Sequence, residues 1–316
     1  MLEESTNKTG YSKSQFRRLV SCAVFPGTLT LVIAAAVYGV RIGYRPELVV
    51  LVLSIATGTW TLFLEFAHPH TSVWQQSHGD ISTDVLHTVF SEIVPTQLYN
   101  ILTLSGLTAV AAWLSGLIGY TLWPVEWPLA FQLVLLLVIG EFFQYWWHRL
   151  THEHPFFWRF HATHHSAERL YFLNAARFHP IDTIVSYAVQ TIPVLILGAK
   201  PEVVALFGIF FVVHGLFQHA NIDVRLGPLN YVFSMAELHR WHHSQNLEDA
   251  NSNYGANIIL WDIVFGTRHL PADREHQPTD IGMHGTSAFP QTYFGQMASP
   301  FTWKRIQEAS SEDSSK

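Results

Sequence analysis

Apolar stretches of membrane-crossing length recur along the chain, separated by short polar breaks. Leu19–Val40 carries no charged residue and is long enough to span a hydrocarbon core about 30 Å thick. Leu48–Leu64 is uncharged and slightly shorter, and Glu65 closes it. Leu102–Trp123 is a third uncharged run, ending in the aromatic and proline-rich Trp123-Pro124-Val125-Glu126-Trp127-Pro128. Leu129–Trp147 is a fourth, with Glu141 as its one charge. Ile181–Ala199 and Val203–His219 flank the turn Gly198-Ala199-Lys200-Pro201. The pattern predicts six spans, the last two either crossing the bilayer or dipping into it as a hairpin. Asp84–Tyr99 is polar on one side and apolar on the other, which predicts an interfacial helix. A cleaved signal peptide competes for Leu19–Val40, but the run is longer than a usual apolar signal core and no clear small-residue cleavage site follows it. No internal repeat is evident, and Glu308–Lys316 is low in complexity and expected to be disordered.

Composition supports this division. Charged residues make up 13% of the chain and hydrophobic ones 49%, about half the charge of a soluble domain. The mean hydropathy of +0.17 fits spans joined to a sizeable polar part. With residues 1–18 as a cytoplasmic tail, fifteen Lys and Arg fall on the cytoplasmic side and only Arg41, Arg45 and Lys200 on the other, the positive-inside asymmetry. One cysteine, Cys22, excludes a disulfide framework and a cysteine zinc site. A net charge of −6 excludes a nucleic-acid partner, since no basic patch is present to track phosphates.

The candidate chemistry lies in the histidines. There are 19, and twelve of them fall between His148 and His243. They form three patterned clusters: His148-x3-His152, His161-x2-His164-His165 and His239-x2-His242-His243. Residues three or four apart share one helix face, so each cluster aims its rings in one direction. Eight such nitrogens exceed what one ion uses. Imidazole suits iron, zinc, copper and nickel, so the set predicts a dinuclear centre. Its place at span ends on one side predicts an oxidase acting on lipid. Other chemistries lack their residues: there is no H-E-x-x-H, and Glu65-Phe66-Ala67-His68 is the single E-x-x-H where a carboxylate di-iron bundle needs two. With no G-x-G-x-x-G and no P-loop, electrons must come from another protein or domain. A membrane metal transporter or sensor is the rival class, but a transporter places its ligands near mid-membrane rather than at span ends.

The strings Trp147-His148-Arg149-Leu150-Thr151-His152, His161-Ala162-Thr163-His164-His165-Ser166 and His239-Arg240-Trp241-His242-His243-Ser244, with Arg177-Phe178-His179-Pro180 and Gln218-His219-Ala220-Asn221, resemble the fatty acid hydroxylase (sterol desaturase) superfamily of membrane non-haem di-iron enzymes. The likeness covers about 130–270. It implies an all-α, polytopic membrane fold with a cytoplasmic, His-rich di-metal catalytic cap. It also implies two iron ions, O2 as co-substrate, and hydroxylation or desaturation of a lipid. The substrates it implies range over sterols, sphingolipid bases, fatty acyl chains, ether lipids and amino-acid-containing bacterial lipids. No His-Pro-Gly-Gly string marks a fused haem domain, so the resemblance implies an external donor such as a cytochrome b5 or a ferredoxin with its reductase. The domains read as a tail (1–18), a transmembrane region (19–128), a di-iron domain (129–270) and a C-terminal tail (271–316). A bacterial inner membrane fits better than the endoplasmic reticulum.

The resemblance makes His148, His152, His161, His164, His165, His239, His242 and His243 ligands, and adds His219 and, less directly, His179. His214 stands five residues before His219, where relatives often carry a histidine four before. The remaining His68, His70, His78, His87, His154, His269, His276 and His284 are expected to be structural. Glu141 shares a helical stripe with Tyr145, His148 and His152. It is expected to act in catalysis by offsetting charge at the metals; a carboxyl fixing helix packing is the equal alternative. Asp182, Glu237, Asp223 and Asp262 are candidates for holding imidazole tautomers.

Overall fold

The computed structural model describes residues 3–271, 278 and 280–314; His276 lies outside them. It is all-α, and among the described residues pairing of extended segments is limited to isolated bridges such as Pro69 with Ile222. The elements, in order, are α1 (Glu3–Arg41), α2 (Pro46–Ala67), α3 (Ile81–Leu86), a π-helical segment His87–Ile93, α4 (Val94–Ile118), α5 (Leu129–Glu153), α6 (Pro155–His165), α7 (Pro180–Ile196), α8 (Pro201–His219), α9 (Ala236–His242), α10 (Leu247–Ala250), α11 (Leu260–Phe265) and α12 (Tyr293–Ser314). Among the described residues, five helical runs are long and apolar enough to cross a membrane: Ser14–Arg41, Pro46–Ala67, Ile81–Ile118, Leu129–Glu153 and Pro201–His219. α7 is apolar but shorter. Large apolar side chains on these helices face outward, among them Leu51, Ile55, Leu102 and Trp113. Water does not tolerate such a surface, but lipid does. The chain is an integral membrane protein.

Two expected boundaries move. The third span is not Leu102–Trp123. α3, the π-helical segment and α4 run on as one helical stretch, Ile81–Ile118, which absorbs the interfacial helix expected over Asp84–Tyr99. It stops where Gly119 turns left-handed (φ 81°) and its N–H bonds Ser115, a conformation glycine adopts without a Cβ penalty. Trp123 is buried in the loop beyond, where its Nε1 donates to Gln132 at 2.7 Å. The second difference is the C-terminus. α12 is a helix that packs Trp303 and Ile306 against Ala162 of α6, where the composition of Glu308–Lys316 suggested disorder.

α7 lies between α4 and α5. Tyr99 Oη and Thr191 Oγ1 join α4 to α7 at 2.8 Å. On the other side, a Cβ at Gly140 would sit 2.9 Å from the Gln190 carbonyl oxygen, so only glycine lets α5 and α7 approach this closely. α8 packs on α5, α1 and α2. The N-terminal ends of α3 and α7 and the C-terminal ends of α2, α5 and α8 all meet α6, α9 or the loops between them. Asp182 of α7 reaches His161 of α6, and Glu65 of α2 accepts the backbone N–H groups of Phe172 (2.7 Å) and Asn221 (2.9 Å). This end forms the His-rich cap, and the turns carrying Arg41, Arg45 and Lys200 lie at the other ends of their helices.

Candidate metal centre

Each cluster owes its direction to a helix end. α5 continues past its apolar run and carries His148 and His152 one turn apart. Pro155 then starts α6, with His154 as its N-cap accepting from the Phe156 N–H at 3.3 Å. α6 brings in His161, His164 and His165, α8 ends on His219, and α9 supplies His239 and His242 with His243 as its C-cap.

The rings collect in two groups. His148, His152, His161, His165 and His242 form one, and His164, His219, His239 and His243 the other; within each, one nitrogen per ring lies within 4.8 Å of all the rest. Of the nine, His152 alone is half-buried and the others are buried. The groups adjoin, since the rings of His165 and His243 stack with centroids 4.3 Å apart.

The hydrogen bonds test whether these nitrogens fit metal ions. His148 Nδ1 lies 2.6 Å from the Tyr254 carbonyl and His242 Nδ1 lies 2.7 Å from that of Ser252. A carbonyl only accepts, so both Nδ1 atoms carry protons and both neutral rings present a lone pair at Nε2. Those two Nε2 atoms stand 3.0 Å apart. His161, whose Nδ1 is 2.7 Å from Asp182 Oδ2, brings its Nε2 to 3.0 Å from that of His148. In the second group Asn174 Oδ1 accepts from His219 Nδ1 at 3.0 Å, and His219 Nε2 is 2.8 Å from His239 Nε2. His243 Nε2 is 2.9 Å from His239 Nε2 and 3.1 Å from His164 Nε2. Facing lone pairs repel unless a cation sits among them. Protons cannot serve throughout, because burial holds His242 down to about 3. Burial, then the neighbouring imidazoles, pushes His164, His165, His239 and His243 well below the ordinary histidine value. The donor set is all imidazole and fits two transition-metal ions.

The other expected residues fall elsewhere. His179 is in neither group: it is the N-cap of α7, its Nδ1 accepting from the Ile181 N–H at 3.2 Å, which sets up the turn that carries Asp182. His214 is buried against Phe25 and Phe210, away from both groups. Among the described residues, none of the histidines expected to be structural joins either group. Glu141 is not brought to the imidazoles. Its carboxylate accepts the Asn257 backbone N–H at 3.1 Å and the Asn257 side-chain amide, which ties the 254–258 segment to α5. Of the four acids proposed to hold tautomers, Asp182 does so directly. Asp262 acts through the backbone, taking the N–H groups of Tyr254 (2.8 Å) and Gly255 (2.7 Å) and so fixing the peptide whose carbonyl holds His148. Glu237 instead accepts from Leu226 N–H and Asn230, and Asp223 from Ser21 and Arg225. Sequence reasoning missed Asn174, the two backbone carbonyls, and Phe178, whose ring stacks on His164 with centroids 4.0 Å apart. A carbonyl leaves no trace in residue type, and Asn174 had no pattern to mark it.

These contacts fix an expectation for Glu141. Glu141→Gln keeps one of the two oxygens that Asn257 uses and turns an N–H toward the other donor, so it should lower membrane expression and stability less than Glu141→Ala while leaving turnover per metallated protein near wild type. Glu141→Ala strands two buried donors, at about 1–3 kcal/mol each, and should lower the unfolding temperature in detergent. A Gln variant that is stable and fully metallated yet inactive would return Glu141 to catalysis.

Fold and centre together define a class: a polytopic helical membrane protein with two adjoining all-imidazole metal sites in a cap at one end of its spans. The sequence profile of the fatty acid hydroxylase family matches residues 133–267. An ornithine lipid hydroxylase of Rhizobium tropici is 38% identical over 302 residues, covering 94% of this chain and 88% of that protein. Human alkylglycerol monooxygenase is 30% identical over 149 residues, covering 47% of this chain and 33% of that protein. Rat methylsterol monooxygenase 1 is 26% identical over 132 residues, or 41% and 44% of the two chains. No solved structure gives a significant match. The chain belongs to the fatty acid hydroxylase family, the His-cluster membrane enzymes of di-iron type that oxidise lipids.

Proposed function

We propose that this protein hydroxylates an amino-acid-containing membrane lipid of the ornithine lipid type, using O2 and electrons from a separate donor protein. The observation that carries the substrate class is the near end-to-end match to the Rhizobium tropici ornithine lipid hydroxylase, 38% identical over 94% of this chain. The nine clustered histidines would hold two iron ions, five and four to an ion, and these supply the reductive activation of O2 that an unactivated C–H bond requires. One oxygen atom enters the C–H bond to give an alcohol. The other leaves as water, with two electrons from the donor and two protons from solvent. The chain's own contribution is to hold and enclose. Asp182, Asn174 and the carbonyls of Tyr254 and Ser252 fix which nitrogen of each ring points inward, and such partners tune ligand basicity. Burial excludes bulk water from eight of the nine rings. His152 is half-buried as a residue, yet its Nε2 is enclosed like the others, with the rings of Trp158 and Tyr254 at 5.3 and 5.4 Å between centroids.

Expression in an ornithine-lipid-producing bacterium that lacks such a hydroxylase provides the test. Mass spectrometry of total lipids should show an ornithine lipid heavier by one oxygen atom, labelled when the cells grow under isotopic O2. Loss of two hydrogens with no oxygen gained would make the enzyme a desaturase, and an unchanged ornithine lipid pool would remove the substrate class. The charge asymmetry of fifteen to three supports a cytoplasmic cap in a bacterial inner membrane, the side on which reduced ferredoxin or cytochrome b5-like donors are available. Reporter fusions after Arg17, Lys200 and His243 should read in, out, in, and an external signal at His243 would reverse this orientation.

A further inference from the structure

The C-terminal helix α12 has two unlike faces. Gln296, Ser299, Trp303, Ile306 and Ser310 are buried against the rest of the protein. The opposite face, at 100° per residue, carries Phe294, Ala298, Phe301 and Arg305. Phe294 is 77% exposed and Phe301 76%, more than any other described large apolar side chain outside the membrane-crossing runs. Two aromatics one heptad apart on a free face would be a liability in water.

Their neighbours show what covers them. Phe301 lies 6.4 Å, between centroids, from Phe160 of α6, which in turn lies 5.7 Å from Phe156. At the other end, Tyr293 lies 6.4 Å from Phe90, and Phe90 belongs to the membrane-crossing run Ile81–Ile118. Phe90 and Phe156 are themselves about half exposed, at 52% and 51%. The aromatic surface of α12 is therefore continuous with the lipid-facing surface of a span. The helix also changes character along its length. The outer face is apolar through Phe301 and charged beyond it, first with Lys304 and Arg305 and then with Glu308, whose carboxylate lies 3.7 Å from Lys304 Nζ, and Glu312.

We propose that α12 is an in-plane membrane helix: the face made by Phe294, Ala298 and Phe301 lies in the interfacial layer of the bilayer on the cap side, with Lys304 and Arg305 at the phosphates. Its inner face holds the back of the ligand helix. Trp303 and Ile306 pack on Ala162, between His161 and the His164-His165 pair, and Gln296 Oε1 meets His87 Nε2 at 2.7 Å. The bilayer and the metal-bearing α6 thus grip opposite sides of one helix.

Spin labelling tests this on the full chain. In a Cys22→Ser background, nitroxides are placed singly at Ala298→Cys, Phe301→Cys and Gln307→Cys, and the proteins are reconstituted in nanodiscs of phosphatidylethanolamine and phosphatidylglycerol. Lipid admits O2 and excludes a charged or polar nickel chelate, so labels at 298 and 301 should give an O2-to-nickel collision ratio several-fold above that at 307. A ratio at 298 and 301 equal to that at 307 places the face in water and overturns the proposal. Low collision with both reagents means that protein, a second copy or a partner, covers the face, and that also overturns it. Ala298 guards the conclusion against a folding defect, because cysteine there changes little volume and removes no aromatic contact.

Discussion

His243→Ala should abolish lipid oxidation and strip iron from the four-histidine group, while the protein inserts in the membrane at its usual level. His243 Nε2 is within 3.1 Å of two other ring nitrogens of its group, on His164 and His239, and its ring stacks on His165 of the other group. The substitution removes a donor from one site and a wall of the second. Insertion depends on the apolar helices, which do not involve this ring. Metal analysis of purified protein should fall from two ions per chain toward one, with activity at the level of membranes lacking the protein. His242→Ala should do the same to the five-histidine group, whose His148 Nε2 it faces at 3.0 Å. Full activity in the His243 variant would show that the four-histidine group holds no catalytic ion.

Asp182→Asn should cost about 10–100-fold in metal affinity or turnover, the usual loss when a partner behind a ligand is changed. Asp182 is 1% exposed. One carboxylate oxygen faces His161 Nδ1 at 2.7 Å and the other accepts from Trp147 Nε1 at 3.0 Å. An amide can accept on one side only, so the substitution turns an N–H donor toward either His161 or the indole. In the first case the His161 tautomer flips and the ring no longer offers Nε2 inward; in the second the α5–α7 contact loosens. Titrating iron into the stripped variant, with circular dichroism to confirm its helices, separates the first outcome from unfolding. Wild-type affinity and rate would show that the carboxylate does not set the ring.

Much of this was readable from the order of residues. Apolar runs of span length gave four of the five crossing-length helices, and the shorter α7, close to where they lie, because lipid forces a continuous helix on any such run. The clusters were readable because helix pitch brings residues three or four apart to one face. The third span was misplaced because apolar composition continues past the glycine that ends α4. His179 entered through a motif shared with relatives, yet it sits before a proline at a helix start, where its ring nitrogen bonds the backbone instead. His214 falls about 140° around α8 from His219, so the two cannot serve one centre. Glu141 shares a stripe with His148, but a stripe spans several turns and says nothing of the loop that arrives against it, here Asn257.

The sequence by itself determined that this is a membrane helical protein and that three sets of histidines converge, since both follow from local periodicity. How the histidines divide was decided only in three dimensions. In each His-His pair the two rings go to different groups: His164 to the four and His165 to the five, His243 to the four and His242 to the five. Successive helical residues point about 100° apart, so one dipeptide at the boundary feeds both groups, and the clusters seen in sequence are not the groups that meet in space. Which nitrogen each ring offers was also settled by folding, because the partners at Tyr254, Ser252, Asp182 and Asn174 lie 106, 10, 21 and 45 residues away from the rings they hold. Two of the four are backbone carbonyls, which every residue possesses and no sequence pattern records.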